Sequence, residues 1–255
     1  MGATLGNGAL RMTTTSLCPG VSVSASDDPR RYHRARRFWR WVLRRVGLWA
    51  FARVERVEGL EHVPARGPAI VYYNHIAFTD PIILLGYLPL ATTPLAKVEA
   101  FHYPLIGYLP RWWGAIPVHR GETDKRAIRL TLAALAAGEV ILIAPEGTRN
   151  PTLQRAKPGL AYFALRCQAP LIPAAVDGTE GYPTLPLLPR WWRKPWARVR
   201  FGRPFRLRGP RHARTEVLQA MADEAMYILA DLLPPERRGV YAQGRPRVWR
   251  YVEWL

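Results

Sequence analysis

The stretch "VYYNHIAFTDPIILL", Val71–Leu85, decides the fold. Its first residues end a short apolar run, "AIVYY", that begins at Ala69. A run of this length, rich in β-branched and aromatic residues, reads as a buried strand. Pro81 disfavours a helical conformation at Asp80 and suits the first helical position itself. The reading is therefore a strand, a turn over Asn74–Thr79, and a helix over "PIILLGYL" with Asp80 as its N-cap. A turn between two elements can bring His75 and Asp80 together, whereas residues five apart on one straight helix point away from each other. Asp80 would then accept from one imidazole nitrogen and leave the other as a base. Taken alone, the spacing reads more readily as a capping Asp beside an unrelated histidine.

The same texture continues outward. "GAIPV", "EVILIAP", "PLIPAAV" and "ARVRFG" read as further strands. "TDKRAIRLTLAALAAG", "PGLAYFALRCQA" and "TEVLQAMADEAMYILADLLPP" read as helices, the first starting near Thr123 or Asp124 and the last stopped by Pro234 and Pro235. Short apolar strands alternating with helices predict an α/β domain, a mainly parallel sheet flanked by helices. Its expected extent is residues 59–240, with 241–255 as a C-terminal tail and 1–29 as a disordered, Ser/Thr/Gly-rich tail that lacks the pattern of a signal peptide.

Residues 30–58 read as an amphipathic, basic helical region. Trp39, Val42, Leu43, Val46, Trp49 and Ala50 share one stripe, and Arg37, Arg40 and Arg44 lie on another face. Tryptophan at the edge of an apolar stripe beside arginines is the pattern of a helix lying in a membrane interface. The plainer alternative is a surface helix packed on its own domain. A second basic-aromatic run, "PRWWRKPWARVRFGRPFRLRG", is a further candidate for attachment to anionic lipid.

Composition bounds these readings. The chain has 255 residues, 49% hydrophobic and 22% charged, which is globular. A net charge of +18 calls for an anionic partner: phospholipid, a polyanionic substrate or nucleic acid. Cys18, in a polar segment, and Cys167, in an apolar pattern, read as free thiols in a reducing compartment. The longest uncharged stretch, Pro81–Ala96, contains Pro89 and Pro94 and is too short to span a bilayer. No His/Cys/carboxylate cluster has metal-ligand spacing, so no metal is expected.

Three further stretches bear on His75. "APEGTRN", Ala144–Asn150, follows a strand; Gly147 permits a tight turn and Arg149 offers a planar fork that suits phosphate. "AKPG" sets Lys157 just before a helix start, where backbone N–H groups favour anions. Arg120 follows the strand "GAIPV". In this order the chain resembles the glycerolipid acyltransferases typified by lysophosphatidic acid acyltransferase, over roughly Gly59–Gly202. Asn74, His75 and Asp80 match the first motif, and Lys97, Glu99, Gly114 and Arg120 the second. Glu146, Gly147, Thr148 and Arg149 match the third, and Pro170 and Pro173 the fourth. Ala77 and Asn150 stand where many members have serine, which leaves the acceptor head group open.

The resemblance implies acyl transfer from acyl-CoA or acyl carrier protein to a lysophospholipid hydroxyl, with no further cofactor. His75 and Asp80 would be catalytic. Asn74, Arg120, Glu146, Gly147, Thr148, Arg149 and Lys157 would bind substrate. The most direct product is phosphatidic acid from 1-acyl-sn-glycerol-3-phosphate; glycerol phosphate, another lysophospholipid or a glycolipid are alternative acceptors. The implied partner is an anionic membrane surface, met on its cytoplasmic face by a peripheral or monotopic protein. A basic nucleic-acid binder is the rival from another class; it leaves His75 and Asp80 without a use, and nucleic acid is not expected as a partner.

Overall fold

The strand Ala69–Tyr73 (β2) sits in the middle of the sheet with every residue buried. The computed structural model describes residues 18–21, 23–48, 53–104, 107–121, 123–180 and 196–255. The other strands are β1 (Arg53–Glu58), β3 (Thr92–Lys97), β4 (Ile116–Val118), β5 (Val140–Ile143), β6 (Leu171–Asp177), β7 (Trp196–Phe201), β8 (Phe205–Leu207) and β9 (Val252–Trp254). The order β1-β7-β6-β2-β5-β3-β4 has five parallel strands from β6 to β4. β7 runs antiparallel to β6, with β1 parallel to β7; β8 pairs antiparallel with β6 and with β9. The expected mainly parallel α/β sheet is what forms.

The helices are α1 (His33–Val42), α2 (Asp80–Tyr87), α3 (Tyr108–Trp113), α4 (Lys125–Ala136), α5 (Gly159–Cys167) and α6 (Thr215–Asp231). Alternation along β2 divides the core. Ile70 and Tyr72 join a cluster with residues of α4, α5 and α6, while Ala69, Val71 and Tyr73 join another with α2 and Trp113. Helices thus cover both faces, which is why these strands are apolar throughout. Parallel pairing of β2, β5 and β6 brings the turns that follow them to one edge of the sheet.

Several expectations give way. Asp80 is not the N-cap of α2: Thr79 holds that position, and Asp80 is the first helical residue with its carboxylate turned back into the preceding turn. Arg53–Glu58 is a strand paired with β7, so the helical region does not extend to residue 58. The stretch 241–255 is not a tail, because β9 extends the sheet and Tyr241 is buried. The described part of the second basic-aromatic run is largely strand, with Arg198 and Arg200 paired to Glu55 and Glu58; residues 181–195 lie outside the described residues.

Cys18 and Cys167 are not free thiols. They are disulfide-bonded across a sequence separation of 149, Cys18 being buried beside α5. The polar residues around Cys18 gave no sign that the chain turns back onto the domain there. Disulfides persist in oxidising surroundings, so this pairing stands against the reducing-compartment expectation. Residues 18–21 and 23–29 are therefore not a loose tail, while 1–17 and 22 lie outside the described residues.

The expected stripe faces the protein's own body only in part, and Val46 is exposed. Trp39, Leu43 and Leu48 pack against the second core cluster, and Arg36 is fully buried. The Arg36 guanidinium pairs with Glu139 at 2.5 Å and donates to Thr93 Oγ1 at 2.8 Å and to the Trp113 carbonyl at 2.8 Å. His33 reaches the other Glu139 oxygen at 2.6 Å. A buried cation is tolerated only when its charge and donors are matched, as here. Trp49 and Ala50, assigned to the same stripe, lie outside the described residues.

The ion pair gives the first test. Arg36→Ala leaves Glu139 buried without its cation, which should destabilise the fold by about 3–5 kcal/mol. Equilibrium urea unfolding measures this. A change no larger than that of an exposed-arginine substitution on the same helix, Arg37→Ala, would show that α1 is not held by this pair.

Candidate active site

The site begins where β2 ends. Asn74 leaves the strand with a buried side chain whose Nδ2 donates to the Val176 carbonyl at 2.7 Å and whose Oδ1 accepts from Val176 N–H at 2.8 Å. This amide imitates a strand residue and ties the start of the turn to β6. Asn74 was expected to touch substrate; the structure instead commits its amide to the sheet.

His75 follows at the rim, with its side chain 14% exposed, while that of Asp80 is 0% exposed. One oxygen of Asp80, Oδ2, accepts from Ile76 N–H at 2.6 Å, Ala77 N–H at 2.7 Å and His75 Nδ1 at 3.0 Å. The two backbone bonds fix the carboxylate, and the carboxylate fixes the imidazole. A proton on Nδ1 is the tautomer that donates to a carboxylate, which leaves Nε2 with its lone pair free. Among the described residues Nε2 has no hydrogen-bond partner. The Asp80 Oδ1 atom is buried without one.

The loop after β5 closes on this turn. Asn150 N–H donates to the His75 carbonyl at 2.8 Å. Glu146 is buried; its Oε2 accepts from Gln154 N–H at 2.8 Å, and its Oε1 has no partner. Burial pushes the Glu146 carboxyl up to about 7, against the backbone N–H groups of Gln154 and His75, which favour its charged form. Gly147 has φ +71°, the left-handed region that glycine enters without penalty, and its N–H donates to the Ala144 carbonyl at 3.1 Å to close the turn. Thr148 is exposed and Arg149 half-buried.

Lys157 returns over the loop. Its N–H donates to the Pro145 carbonyl at 3.0 Å, and its Nζ would lie 3.2 Å from a Cβ placed on Gly147. Arg120, exposed beyond β4, reaches the same edge electrostatically. Burial drives the Tyr73 phenol far above its usual range; Asp80 and Glu146 push it further, and Arg120 opposes them. Tyr73 also packs edge-on against His75, with ring centroids 5.5 Å apart. Sequence reasoning passed over Tyr73, although it directly precedes Asn74-His75 at the end of a strand.

Charges from three motifs thus converge on one strand-end edge. Among the described residues Arg120, Arg149 and Lys157 make no ion pair with a carboxylate. The other motif residues serve the frame. Lys97 lies 5.6 Å over the Tyr103 ring, and Glu99 sits in the 3-10 turn that follows β3. Gly114 ends α3 where any Cβ would strike the Tyr32 ring. Among the described residues no group of three or more His, Cys, Asp or Glu could hold a metal ion. The arrangement offers an oriented imidazole base and, beside it, a cationic surface for an anion.

Residues 54–177 match the family model described as Acyltransferase. The chain is 32% identical over 124 residues to the 1-acyl-sn-glycerol-3-phosphate acyltransferase of Bacillus subtilis (strain 168), covering 48% of this chain and 62% of that protein. It is 30% identical over 167 residues to the enzyme of the same name from Cocos nucifera, covering 62% and 50%. A lyso-ornithine lipid O-acyltransferase of Pseudomonas aeruginosa is 39% identical over 84 residues, covering 32% of each. The matched stretch is thus less than two thirds of each relative's length. In fold, the chain resembles the 1-acyl-sn-glycerophosphate acyltransferase of Thermotoga maritima, with a TM-score of 0.56 at 24% identity over 78% of this chain and 80% of that one.

Glu146 gives the site a measurable pH signature. Its folded pKa lies above the ordinary value of 4.5, so the folded state holds the proton more tightly than the unfolded chain. Stability from this group is therefore full below pH 4.5 and declines as pH rises towards 7. Glu146→Gln keeps an acceptor for Gln154 N–H and removes the titration. Relative to the native protein it should gain stability between these limits, on the order of 3 kcal/mol by pH 8. Parallel urea-unfolding curves from pH 4.5 to 8 with equal slopes against pH would refute this assignment.

Proposed function

Residues 54–177 match the acyltransferase family model, and on that premise we propose that the chain transfers a fatty acyl group to the free hydroxyl of a lysophospholipid. The acceptor is 1-acyl-sn-glycerol-3-phosphate, the product phosphatidic acid, and the donor acyl-CoA or acyl carrier protein. The observation that carries this reading is the His75–Asp80 pair, at 3.0 Å, on the same edge as Arg120, Arg149 and Lys157.

In this mechanism His75 Nε2 takes the proton of the acceptor hydroxyl as its oxygen attacks the thioester carbonyl carbon. Asp80, bonded to Nδ1–H, stabilises the imidazolium that forms. The tetrahedral adduct collapses, the carbon–sulfur bond breaks, and Nε2–H returns the proton to the departing thiolate. A nucleophilic side chain is unnecessary because the thioester is already activated. Arg149, Arg120 and Lys157 hold the acceptor phosphate, Arg149 through its planar fork. Asn74 acts through the turn it ties to β6, and Glu146 through the loop backbone at Gln154, whose N–H it accepts from.

A second reading concerns only the acceptor. The local identity of 39% to a lyso-ornithine lipid O-acyltransferase favours including an ornithine lipid among the acceptors tested. Mixed micelles with a panel of lysolipids and both donors, with products resolved by mass, separate the two. His75→Ala should lower turnover about 10²–10⁴-fold without unfolding the protein. Arg149→Ala should raise the KM for lysophosphatidate and leave that for acyl-CoA nearly unchanged. Near-native turnover in a folded His75→Ala protein sinks the mechanism; a change in donor KM alone assigns Arg149 to the coenzyme A phosphates.

The membrane surface is proposed on aromatic residues other than those first expected. Among the described residues no helix is long and apolar enough to cross a bilayer. Trp39 stacks on Trp112 with ring centroids 4.6 Å apart, which joins α1 to α3. Around this joint Phe38, Trp41, Tyr108, Leu109 and Trp112 are exposed, with Arg34, Arg37 and Arg111 beside them. Exposed aromatic rings flanked by cations suit the interface of an anionic bilayer. Phe38→Ser combined with Trp41→Ser should reduce co-sedimentation with anionic liposomes and activity on bilayer substrate. Activity on a soluble short-chain acceptor should be retained. Undiminished binding would place the attachment elsewhere.

A further inference from the structure

The acyltransferase match ends at residue 177, yet the loop carrying the third motif is held from behind by residues far beyond it. Leu153 N–H donates to the Arg237 carbonyl at 2.9 Å, and the Leu153 carbonyl accepts from Val240 N–H at 3.1 Å. Gly239, at φ +49°, lies so close that a Cβ there would stand 2.1 Å from the Leu153 carbonyl oxygen. The Arg237 guanidinium bonds the Pro151 carbonyl at 3.1 Å and Asp177, at the end of β6, at 3.2 Å.

Tyr241 completes the hold. Its hydroxyl accepts from Ala156 N–H at 3.2 Å and donates to Asp223 on α6 at 2.8 Å. Gln219, one turn earlier on α6, donates to the Ala156 carbonyl at 2.9 Å. Both backbone groups of Ala156 are therefore fixed from the C-terminal segment. Lys157 is the next residue, and its side chain rests on Gly147, two residues before Arg149.

We propose that Tyr241 and Gly239 are positioning residues that hold the loop of residues 146–157 in the form presenting Lys157 and Arg149 to the acceptor anion. This rests on the acyltransferase reading above and assigns it a C-terminal component. An irregular loop has few hydrogen bonds of its own, so cations on it bind well only if their ordering is already complete before the ligand arrives. The C-terminal segment supplies that order through main-chain contacts, acting on acceptor affinity and not on the imidazole base.

Tyr241→Phe tests this while keeping the ring and its packing. It leaves Ala156 N–H buried without an acceptor, with Gln219 still on the carbonyl. The KM for lysophosphatidate should rise about tenfold, a magnitude in keeping with one unmet buried donor. The kcat and the KM for acyl-CoA should stay within about twofold of native, because transition-state groups are untouched. Hydrogen exchange should quicken in peptides covering residues 146–157 and remain native in β2 and β5. Gly239→Ala should move the same quantities further in the same direction. Native exchange in residues 146–157, or a fall in kcat with the acceptor KM unchanged, overturns the proposal. A wild-type protein that acylates no lysolipid would instead remove the acyltransferase reading, and the exchange measurement then decides the loop by itself.

Discussion

A single carboxylate oxygen organises the centre of this protein. Asp80 Oδ2 takes three hydrogen bonds, two from the turn backbone and one from His75. The backbone bonds satisfy N–H groups of a turn that would otherwise be left open between β2 and α2. The third turns the same structural device into a chemical one, because it fixes the imidazole tautomer. Folding the turn also orients the base, because the carboxylate that closes the turn is the one that holds the imidazole. The buried sheet position of β2 then sets where that base stands. Asn74, by pairing with Val176, prevents the turn from drifting away from β6.

The N-terminal segment shows how a stripe can mislead about its partner. Periodicity finds part of a packed face, since Val46 is exposed, and Trp39 and Leu43 lie against the second core cluster. The reason is Arg36, which Glu139, Thr93 and the Trp113 carbonyl draw fully inside. A helix anchored through a buried ion pair presents its other residues to solvent, and these include Phe38 and Trp41. The exposed aromatic surface is therefore shared with α3, a helix that short, mixed local sequence did not reveal.

His-x4-Asp occurs twice in the chain, and both pairs close. His119 Nδ1 meets Asp124 at 2.9 Å, much as His75 meets Asp80. His119 is exposed, and Asp124 also accepts from Ala127 N–H as the N-cap of α4. That pair is the capping arrangement that spacing alone favours. His75 differs in what surrounds it: a fully buried carboxylate, the Tyr73 ring and the loop from β5, whose Asn150 N–H seizes its carbonyl.

The sequence by itself determined the elements whose signals are local. Apolar runs and turn residues marked β2, β5, β6 and β7 and the helices α2, α4, α5 and α6, because a strand or helix is specified within a few neighbouring positions. The order of the motifs along the chain supplied the candidate site residues, through resemblance to a family. Tertiary structure decided everything that joins distant positions. It set the Cys18–Cys167 bond, the burial of Arg36, the seating of β9 beside β8 and the C-terminal hold on residues 151–156. These contacts leave little mark on nearby sequence, since a backbone carbonyl or an unremarkable tyrosine serves as partner. Which face a helix buries is written in its periodicity; what that face meets depends on chain segments that only the completed fold brings together.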